Sequence, residues 1–243
     1  MSLRLLALNL SSPTPERARR QLLHLAGEQA DVLVLSELSA GSGSVELLQA
    51  LRGSGHQVVL PGLEGRSLGV AVVSRGIDLD LLPEPADAPL QGRVVTVRAE
   101  GLVLAGVYGA ASDPVRYSSQ AQRARKRDWL AWFSDWMRQA PADLVVGDLN
   151  IADPLVADGL AYVLAEETAC YADLLRQGWV DAYRLHQLAQ REPSWVDHSG
   201  LGARYDHALV SDELVGRVAD CRLEHEVRSE GLSDHSALLL ELD

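Results

Sequence analysis

The sequence predicts an α/β fold in which β-sheet is covered by helices. Short apolar runs of strand length, bounded by turn residues, recur along the chain. Several of these runs are apolar nearly throughout, as in sheets that are buried on both faces. Early in the chain the runs alternate with helical patterns, whereas hairpin-like pairs dominate the middle. That order fits either one mixed sheet or two sheets packed face to face with helices outside.

The apolar runs define the predicted strands. Two of them, 93–98 and 102–108, flank Glu100-Gly101 and read as a hairpin. In chain order the predicted strands are 3–9, 32–36, 57–60, 69–74, 93–98, 102–108, 144–147, 206–210 and 235–242.

Helical periodicity appears between the strands. In the first such segment leucines occupy one side and arginines another. A later segment carries four aromatic residues at spacings of three and four, which predicts a stripe buried in the core rather than a ligand site. That stripe consists of Trp129, Trp132, Phe133 and Trp136. The predicted helices are 15–29, 44–52, 117–139 and 166–177.

Composition limits the class of protein. With 243 residues and no linker-like tract, we expect one domain covering 1–243. The net charge of −12 argues against a non-specific nucleic-acid coat protein, because phosphate binding normally requires a basic face. A local basic patch can still exist on an acidic protein, and acidic metal ligands contribute part of the negative charge.

The cysteines and the first residues bear on the compartment. Cys170 and Cys221 are too few and too far apart for a disulfide framework or a thiolate metal site, so we expect both to be reduced and buried. The apolar start is too short for a membrane span and lacks the features of a secretory signal. We expect a cytoplasmic monomer that does not associate with membranes.

Polar side chains at the ends of buried strands mark the candidate site. Asn9 ends the first apolar run and Glu37 the second, where open α/β sheets bind ligands. Asp148 and Asn150 follow the run Leu144-Val145-Val146. If the strand continued, its alternation would point both side chains to the same side. The structural alternatives are a solvated loop at Glu37 and an Asx turn after Asp148.

A second acidic segment, Ser233-Asp234-His235, lies near the C-terminus. Asp206 begins an apolar strand, and a buried carboxylate needs a partner. We assign His235 as that partner, because a carboxylate fixes the imidazole tautomer and raises its pKa, which favours a cation beside a phosphate. Hard oxygen ligands beside one imidazole favour Mg²⁺ and phosphoester hydrolysis over a zinc cage.

Other charged residues are expected to be structural. Asp181 and Arg184 are predicted to form an ion pair. The isolated histidines His24, His56 and His186 are expected on the surface or in packing, and no role is assigned to them.

The ordered set of these residues resembles the endonuclease/exonuclease/phosphatase superfamily, and the resemblance covers essentially the whole chain. It is carried by Asn9, Glu37, Tyr108, Gly147-Asp148-Leu149-Asn150, Arg204-Tyr205-Asp206 and Ser233-Asp234-His235. The stretch from Asn150 to Trp195, including Gly178-Trp179-Val180-Asp181-Ala182-Tyr183-Arg184, is similar to the exonuclease III branch, the AP endonucleases.

The resemblance implies a four-layer α/β sandwich with a Mg²⁺- or Mn²⁺-dependent phosphodiesterase site. Glu37 would be the chief metal ligand, with Asn9 and Asp234 close by. Asp148 would orient or deprotonate the attacking water, and Asn150 would hold that water and the phosphate.

The same resemblance implies roles around the phosphate. Tyr108 would contact the phosphate or the leaving group, while His235 paired with Asp206 would stabilise the developing charge. We also expect three residues to contact substrate, namely Arg204, Trp195 and Arg116.

Departures from the branch bear on the substrate. Ser36 stands where the branch usually has glutamine, and Leu38 to Ser44 contains no basic residue. The segment from Trp195 to Arg204 is short. Against this, one dense basic cluster follows Tyr108, and it either tracks a nucleic-acid backbone or forms a solvated helix face. That cluster is Arg116, Arg123, Arg125, Lys126 and Arg127.

Three functions remain open. The leading hypothesis is an exonuclease III-like DNA nuclease or AP endonuclease that cleaves by in-line attack of water. The first alternative is a phosphatase or phosphodiesterase acting on a small phosphate ester, either a nucleotide or a lipid head group. The second is a catalytically silent binding module, although a lapsed enzyme has no need to keep so many repelling carboxylates together.

Overall fold

A computed structural model describes residues 2–61, 68–112, 119–157, 160 and 163–243. Its strands are β1 (Leu3–Asn9), β2 (Val32–Leu38), β3 (Gln57–Val59), β4 (Gly69–Ser74), β5 (Asp80–Leu81), β6 (Val94–Ala99), β7 (Leu102–Tyr108), β8 (Leu144–Asp148), β9 (Val180–Asp181), β10 (Trp195–Val196), β11 (Gly202–Ala203), β12 (Asp206–Val210), β13 (Val218–Glu224) and β14 (Ala237–Leu242). The helices are α1 (Pro15–Glu28), α2 (Ser42–Gly53), α3 (Gln120–Met137), α4 (Ala165–Arg176), α5 (Ala182–His186), α6 (Glu226–Ser229) and a 3₁₀ helix at Asp212–Arg217.

Two six-stranded mixed sheets form the centre of the fold. The first sheet has the order β13-β14-β1-β2-β4-β3, and the second has the order β5-β6-β7-β8-β12-β9. Each sheet has one parallel pair at its middle, β1 with β2 and β7 with β8, flanked by antiparallel neighbours. A separate two-stranded ribbon joins β10 and β11.

Alternating side chains divide the core into three apolar layers. Leu5 and Ala7 of β1 face the second sheet, whereas Leu6 and Leu8 face α1 and α2. The other outer layer lies between the second sheet and the pair α3 and α4. The order helix, sheet, sheet, helix confirms the predicted four-layer α/β sandwich.

Local signals explain where the long helices begin. The hydroxyl of Thr14 caps α1 and Pro15 occupies its first turn, where a missing N–H costs nothing. Ser119 and Gln122 form a reciprocal capping box at the start of α3. The aromatic stripe of α3 is core, as predicted, because Trp129 and Phe133 have no exposed surface.

The predicted strands are all present, with ends that differ by up to two residues. The hairpin of β6 and β7 turns through Glu100 and Gly101, both with positive φ, as a two-residue hairpin requires. The edge strand β13, whose charged residues alternate with buried ones, is not among the predicted strands. The predicted start of α3 at Tyr117 lies outside the described residues.

Two further findings concern the surface and the cysteines. Cys170 and Cys221 are buried and unbonded to each other, as predicted. Within the described ranges, no helix has the length and apolar character needed to cross a bilayer.

Candidate active site

The polar strand ends predicted from the sequence lie at one edge of the sandwich. In the first sheet Asn9 is opposite Ser36, the residue before Glu37. In the second sheet Tyr108, Asp148 and Asp206 form one row across three neighbouring strands. The two rows face each other because the sheets pack face to face.

Two hydrogen bonds join the rows across the sheets, and a third contact joins His235 to the second row. The amide nitrogen of Asn9 donates to Asp148 Oδ2 at 2.8 Å, and the hydroxyl of Tyr108 donates to Glu37 Oε1 at 3.0 Å. His235 Nδ1 is 2.8 Å from Asp206 Oδ2. The structure therefore brings these six predicted residues into one site and pairs His235 with Asp206 as the sequence analysis expected.

Asp148, Asp206 and His235 form a buried electrostatic unit whose ligand atoms lie within 4.8 Å of one another. Burial raises the pKa of Asp148 to about 7, although the charge of His235 opposes that shift. Burial would lower the pKa of His235, but Asp206 and Asp148 outweigh it and raise that pKa to about 10. The ring is a cation at neutral pH, and Asp148 titrates near neutrality.

The chain turns immediately after Asp148. Asn150 has a φ of +52°, and its backbone N–H donates to Asp148 Oδ1 at 3.0 Å. Its side-chain amide donates to the carbonyl of Gly109 at 3.3 Å. The strand ends at Asp148, so the alternation that would align the two side chains does not continue, and the alternative, an Asx-type turn, forms instead. Both side chains are nevertheless buried at the same edge.

Glycine is required where β7 and β8 approach each other. Gly147 has a φ of +137°, and a Cβ there would lie 2.2 Å from the carbonyl oxygen of Val107. At Gly109 a Cβ would lie 1.9 Å from the carbonyl oxygen of Leu149. The backbone close to Asp148 thus has no room for a side chain.

Glu37 and Asp234 supply carboxylates nearer the mouth of the site. Glu37 is half-buried and has a φ of +54°, a left-handed conformation that is uncommon for residues other than glycine. Asp234 is exposed, and its Oδ2 accepts from the indole N–H of Trp195 at 3.0 Å. Trp195 also packs on Tyr205, with ring centroids 5.9 Å apart.

The donor set fits a hard divalent cation. Four carboxylates and the side-chain amide oxygen of Asn9 lie beside a single imidazole, and such oxygen-rich sets are the ligands that Mg²⁺ or Mn²⁺ prefers. Among the described residues, the buried Oδ1 of Asp206 has no hydrogen-bond partner, so the site has unmatched negative charge. The carboxylates and the amide are Glu37, Asp148, Asp206, Asp234 and Asn9.

Arg93 is a site residue that the sequence analysis missed. Its guanidinium lies 4.0 Å from the ring centroid of Tyr108 and donates to the carbonyl of Gly109 at 3.0 Å. Burial lowers the pKa of Arg93. The sequence did contain a signal, because a two-residue turn at Glu100-Gly101 places Arg93 directly opposite Tyr108.

Two serines hold the loops that carry the reactive side chains. The hydroxyl of Ser233 donates to the carbonyl of Asn9 at 2.6 Å and accepts from the N–H of His235 at 3.0 Å. The hydroxyl of Ser194 accepts from the N–H of Tyr205 at 2.9 Å and of Asp206 at 3.1 Å. Ser233 thus fixes the backbone of Asn9 relative to that of His235, and Ser194 fixes the backbone at Asp206.

Arg204 does not lie where a substrate contact requires it. Its side chain has no exposed surface, and Nε donates to Asp153 Oδ2 at 2.9 Å. Its Nη2 also pairs with Asp181. The expectation that Arg204 contacts substrate is therefore corrected, since buried carboxylates occupy its guanidinium. The predicted pair of Asp181 with Arg184 is corrected as well, because the carboxylate that Arg184 contacts is Asp153.

The residues of the predicted basic cluster differ in their burial and in their ion pairs. Lys126 is buried and pairs with Glu167 at 2.8 Å, which makes it a structural residue. Arg127 pairs with Glu166 at 2.6 Å on the surface. Arg125 is exposed, and its charge acts on Arg93 beside Tyr108. Arg116 lies outside the described residues.

A family model and a curated relative match this sequence. The model of the Endonuclease/Exonuclease/phosphatase family matches residues 6–235. Exodeoxyribonuclease III of Haemophilus influenzae is 32% identical over 119 residues, which are 40% of this chain and 45% of that relative. The match thus spans less than half the length of the curated relative.

Solved structures with the same fold cover nearly the whole chain. A 3'-5' exonuclease (NExo) from Neisseria meningitidis is 25% identical with a TM-score of 0.77, covering 99% of this chain and 100% of that one. The 3' phosphatase NExo from Neisseria, bound to a product DNA hairpin, is 25% identical with a TM-score of 0.78 and 99% coverage of both chains. An AP endonuclease from Archaeoglobus fulgidus, 22% identical with a TM-score of 0.78 and 99% coverage of both chains, shares the fold.

Proposed function

Because the chain belongs to the Endonuclease/Exonuclease/phosphatase family, we propose that it hydrolyses phosphodiester bonds in DNA as a metal-dependent nuclease of the exonuclease III kind. The observation that carries the proposal is the placement of Asp148, which Asn9 holds at 2.8 Å beside the cationic ring of His235. This arrangement combines a base near neutrality with a fixed positive charge. Both favour in-line attack of water on a phosphodiester.

Asp148 is assigned as the residue that orients and deprotonates the attacking water. Its pKa of about 7 suits a general base at neutral pH. Asn9 and the N–H of Asn150 hold its two carboxylate oxygens, so the direction of approach to water is fixed. The side chain of Asn150 is assigned to hold the water and the phosphate.

His235 and Tyr108 are assigned to the phosphate. His235 would stabilise charge that develops on the phosphate oxygens, with Asp206 fixing the tautomer and orientation of the ring. Burial and Glu37 hold the pKa of Tyr108 well above its usual range, so its hydroxyl stays a neutral donor. That hydroxyl can contact a phosphate oxygen or the leaving oxygen.

Glu37, Asp234 and Asn9 are the residues that would hold Mg²⁺ or Mn²⁺. When bound, the ion supplies Lewis-acid stabilisation of charge on the phosphate and the leaving oxygen. The hydrogen bond from Tyr108 to Glu37 supports this assignment, because it joins the proposed metal ligand to the hydroxyl assigned to the phosphate.

Two observations bear on the substrate. Relatives that are 25% identical over nearly the whole chain include a 3'-5' exonuclease and a 3' phosphatase bound to a DNA hairpin, which supports DNA. The net charge of −12 supports the second candidate, hydrolysis of a small phosphate ester such as a nucleotide or a lipid head group. Exposed Arg125 and half-buried Arg93 are two basic residues beside the site that favour the first candidate.

The first test is incision of an end-labelled duplex that carries a single abasic site, with Mg²⁺ and with EDTA. We expect metal-dependent incision by the wild type and by Asp128→Asn, a control at an exposed position on α3. Asp148→Asn serves as the blank. If the wild type binds Mg²⁺ but cuts neither this duplex nor single-stranded DNA, the DNA assignment is wrong.

Salt dependence separates the two substrate classes. A DNA enzyme should lose kcat/KM steeply as salt rises, whereas turnover of a small diester such as bis(p-nitrophenyl) phosphate should change little. Arg125→Ala should reduce the slope of log kcat/KM against log salt by about 1 if Arg125 contacts a backbone phosphate. Arg19→Ala, on the exposed face of α1, is the matched control and should leave the slope unchanged.

A further inference from the structure

A second group of metal-binding side chains lies on α1 and β13, outside the site described above. His24 and Glu28 are one helical turn apart on α1, so their side chains share a face. Glu224 is the last residue of β13 and reaches the same place. One ligand atom from each residue lies within 4.8 Å of those from the other two.

This group is distant from the active-site edge. Glu28 contacts Arg4 at the beginning of β1, with Nη2 to Oε2 at 3.3 Å, whereas Asn9 ends the same strand. Five residues of extended strand span about 16 Å. An ion held here therefore belongs to a different site from the one that Glu37 and Asp234 would hold.

His24 and Glu224 present polar atoms that have no hydrogen-bond partner among the described residues. These atoms are His24 Nε2 and Glu224 Oε2, and both are buried. Only 9% of the His24 side chain is exposed. The two atoms are 3.7 Å apart, which is too long for a hydrogen bond but close to the roughly 3.4 Å that separates two ligands on a tetrahedral Zn²⁺ ion.

The surrounding charges also favour a cation. A cavity of about 400 Å³ adjoins the group, and three carboxylates line it, those of Glu28, Glu226 and Glu230. Arg20 lines the same cavity, and its guanidinium donates to the backbone carbonyl of Glu230 at 2.9 Å. Glu28 also pairs with Arg4, so the same carboxylate would contact both Arg4 and the bound ion.

We propose that His24, Glu28 and Glu224 bind one divalent transition-metal ion, with Zn²⁺ preferred. The imidazole nitrogen decides the class of ion, because Mg²⁺ and Ca²⁺ take oxygen ligands whereas Zn²⁺ accepts one imidazole with carboxylates. Three protein ligands leave one position for water or a cavity carboxylate. The ion fastens the N-terminal helix α1 to the edge strand β13 and takes no part in phosphoester hydrolysis.

Isothermal titration of the metal-free full chain with Zn²⁺ tests this site. The titration is made in the wild type and in a Glu37→Gln background, so that Zn²⁺ at the active site is counted separately. In each background His24→Gln should remove one equivalent of Zn²⁺, while His186→Gln, an exposed control on α5, should remove none. Glu224→Gln should raise the dissociation constant of the same Zn²⁺ ion at least tenfold.

Two further readouts do not depend on activity. Zn²⁺ should shift the ring nitrogen resonances of His24 in protein labelled with ¹⁵N-histidine, and it should raise the Tm of the wild type but not of His24→Gln. Mg²⁺-dependent incision by His24→Gln should stay within twofold of the wild type. If His24→Gln does not fold, Glu28→Gln replaces it.

Two outcomes would overturn the proposal. In one, His24→Gln binds as many equivalents of Zn²⁺ as its parent. In the other, Zn²⁺ leaves the His24 resonances of the wild type unchanged, which would make His24 and Glu224 a simple ion pair.

Discussion

Two groups of buried carboxylates, both drawn from the second half of the chain, differ in the cations and hydrogen-bond donors that they contact. The active-site cluster consists of Asp148, Asp206 and His235, and the arginine network consists of Asp153, Asp181, Arg184 and Arg204. Arg204 and Asp206 are two residues apart, yet one belongs to the network and the other to the cluster. The difference arises from the number of cations and donors that each carboxylate meets.

In the arginine network each carboxylate pairs with at least one guanidinium. Burial would raise the pKa of Asp181, but the guanidinium of Arg204 outweighs it and the pKa is lowered. Tyr171 also donates to Asp181 at 2.7 Å. The same guanidinium lowers the pKa of Asp153 against its burial. A buried carboxylate held in this way stays charged and unreactive.

In the active-site cluster the balance is reversed. In the part of the chain that the structure describes, His235 is the one cationic side chain that pairs with both Asp148 and Asp206, and burial raises the pKa of Asp148 to about 7. The charged form of Asp148 therefore lowers the stability of the fold, a cost that is typical of functional sites. Burial alone therefore does not distinguish a reactive carboxylate from a structural one. Burial combined with few cationic partners does distinguish it.

The largest expected effect is on turnover, through Asp148→Asn. Loss of the base should lower kcat on DNA by about 10²- to 10⁴-fold. The free energy of unfolding at pH 8 without metal should be at least as high as that of the wild type, because the amide removes the cost of the buried charge. Single-turnover kinetics and urea unfolding measure the two quantities. A variant that keeps its activity would remove Asp148 from the mechanism.

The reverse pattern is expected in the arginine network, through Arg204→Met. Removing the guanidinium leaves Asp153 and Asp181 buried without their main cation, which should cost about 3–5 kcal/mol of unfolding free energy. Arg19→Met, at a surface ion pair, should cost less than about 1 kcal/mol. Urea unfolding measures both variants. If Arg204→Met raises KM for DNA but leaves stability unchanged, Arg204 contacts substrate as the sequence first suggested.

The assembly of the active site could be predicted from sequence because most of its residues sit at the ends of apolar strands. Asn9, Glu37, Asp148 and Asp206 each border a run that must be buried, and neighbouring strand ends share an edge. Their roles stay predictions, but their assembly into one site is what the structure shows.

The arginine network could not be predicted in the same way. The partners of Arg204 are 51 and 23 residues away in the chain, in a loop after β8 and in the two-residue strand β9. An arginine that binds phosphate and one that binds buried aspartates have the same appearance in sequence. The edge strand β13 was missed for a related reason, since its charged residues resemble a loop.

The smallest expected effect is on the pH dependence of stability. The folded-state pKa of Asp181 is lowered, so its contribution is present above the unfolded pKa of about 3.9 and is lost as pH falls towards the folded value. The gap in unfolding free energy between the wild type and Asp181→Asn should be constant from pH 7 to about pH 5. Below about pH 4 it should narrow by up to about 1.4 kcal/mol per pH unit. Asp135→Asn, at an exposed ion pair, should run parallel to the wild type throughout. Urea unfolding followed by tryptophan fluorescence gives the three curves, and a gap for Asp181→Asn that persists unchanged to pH 3 would show that Arg204 does not hold Asp181 charged.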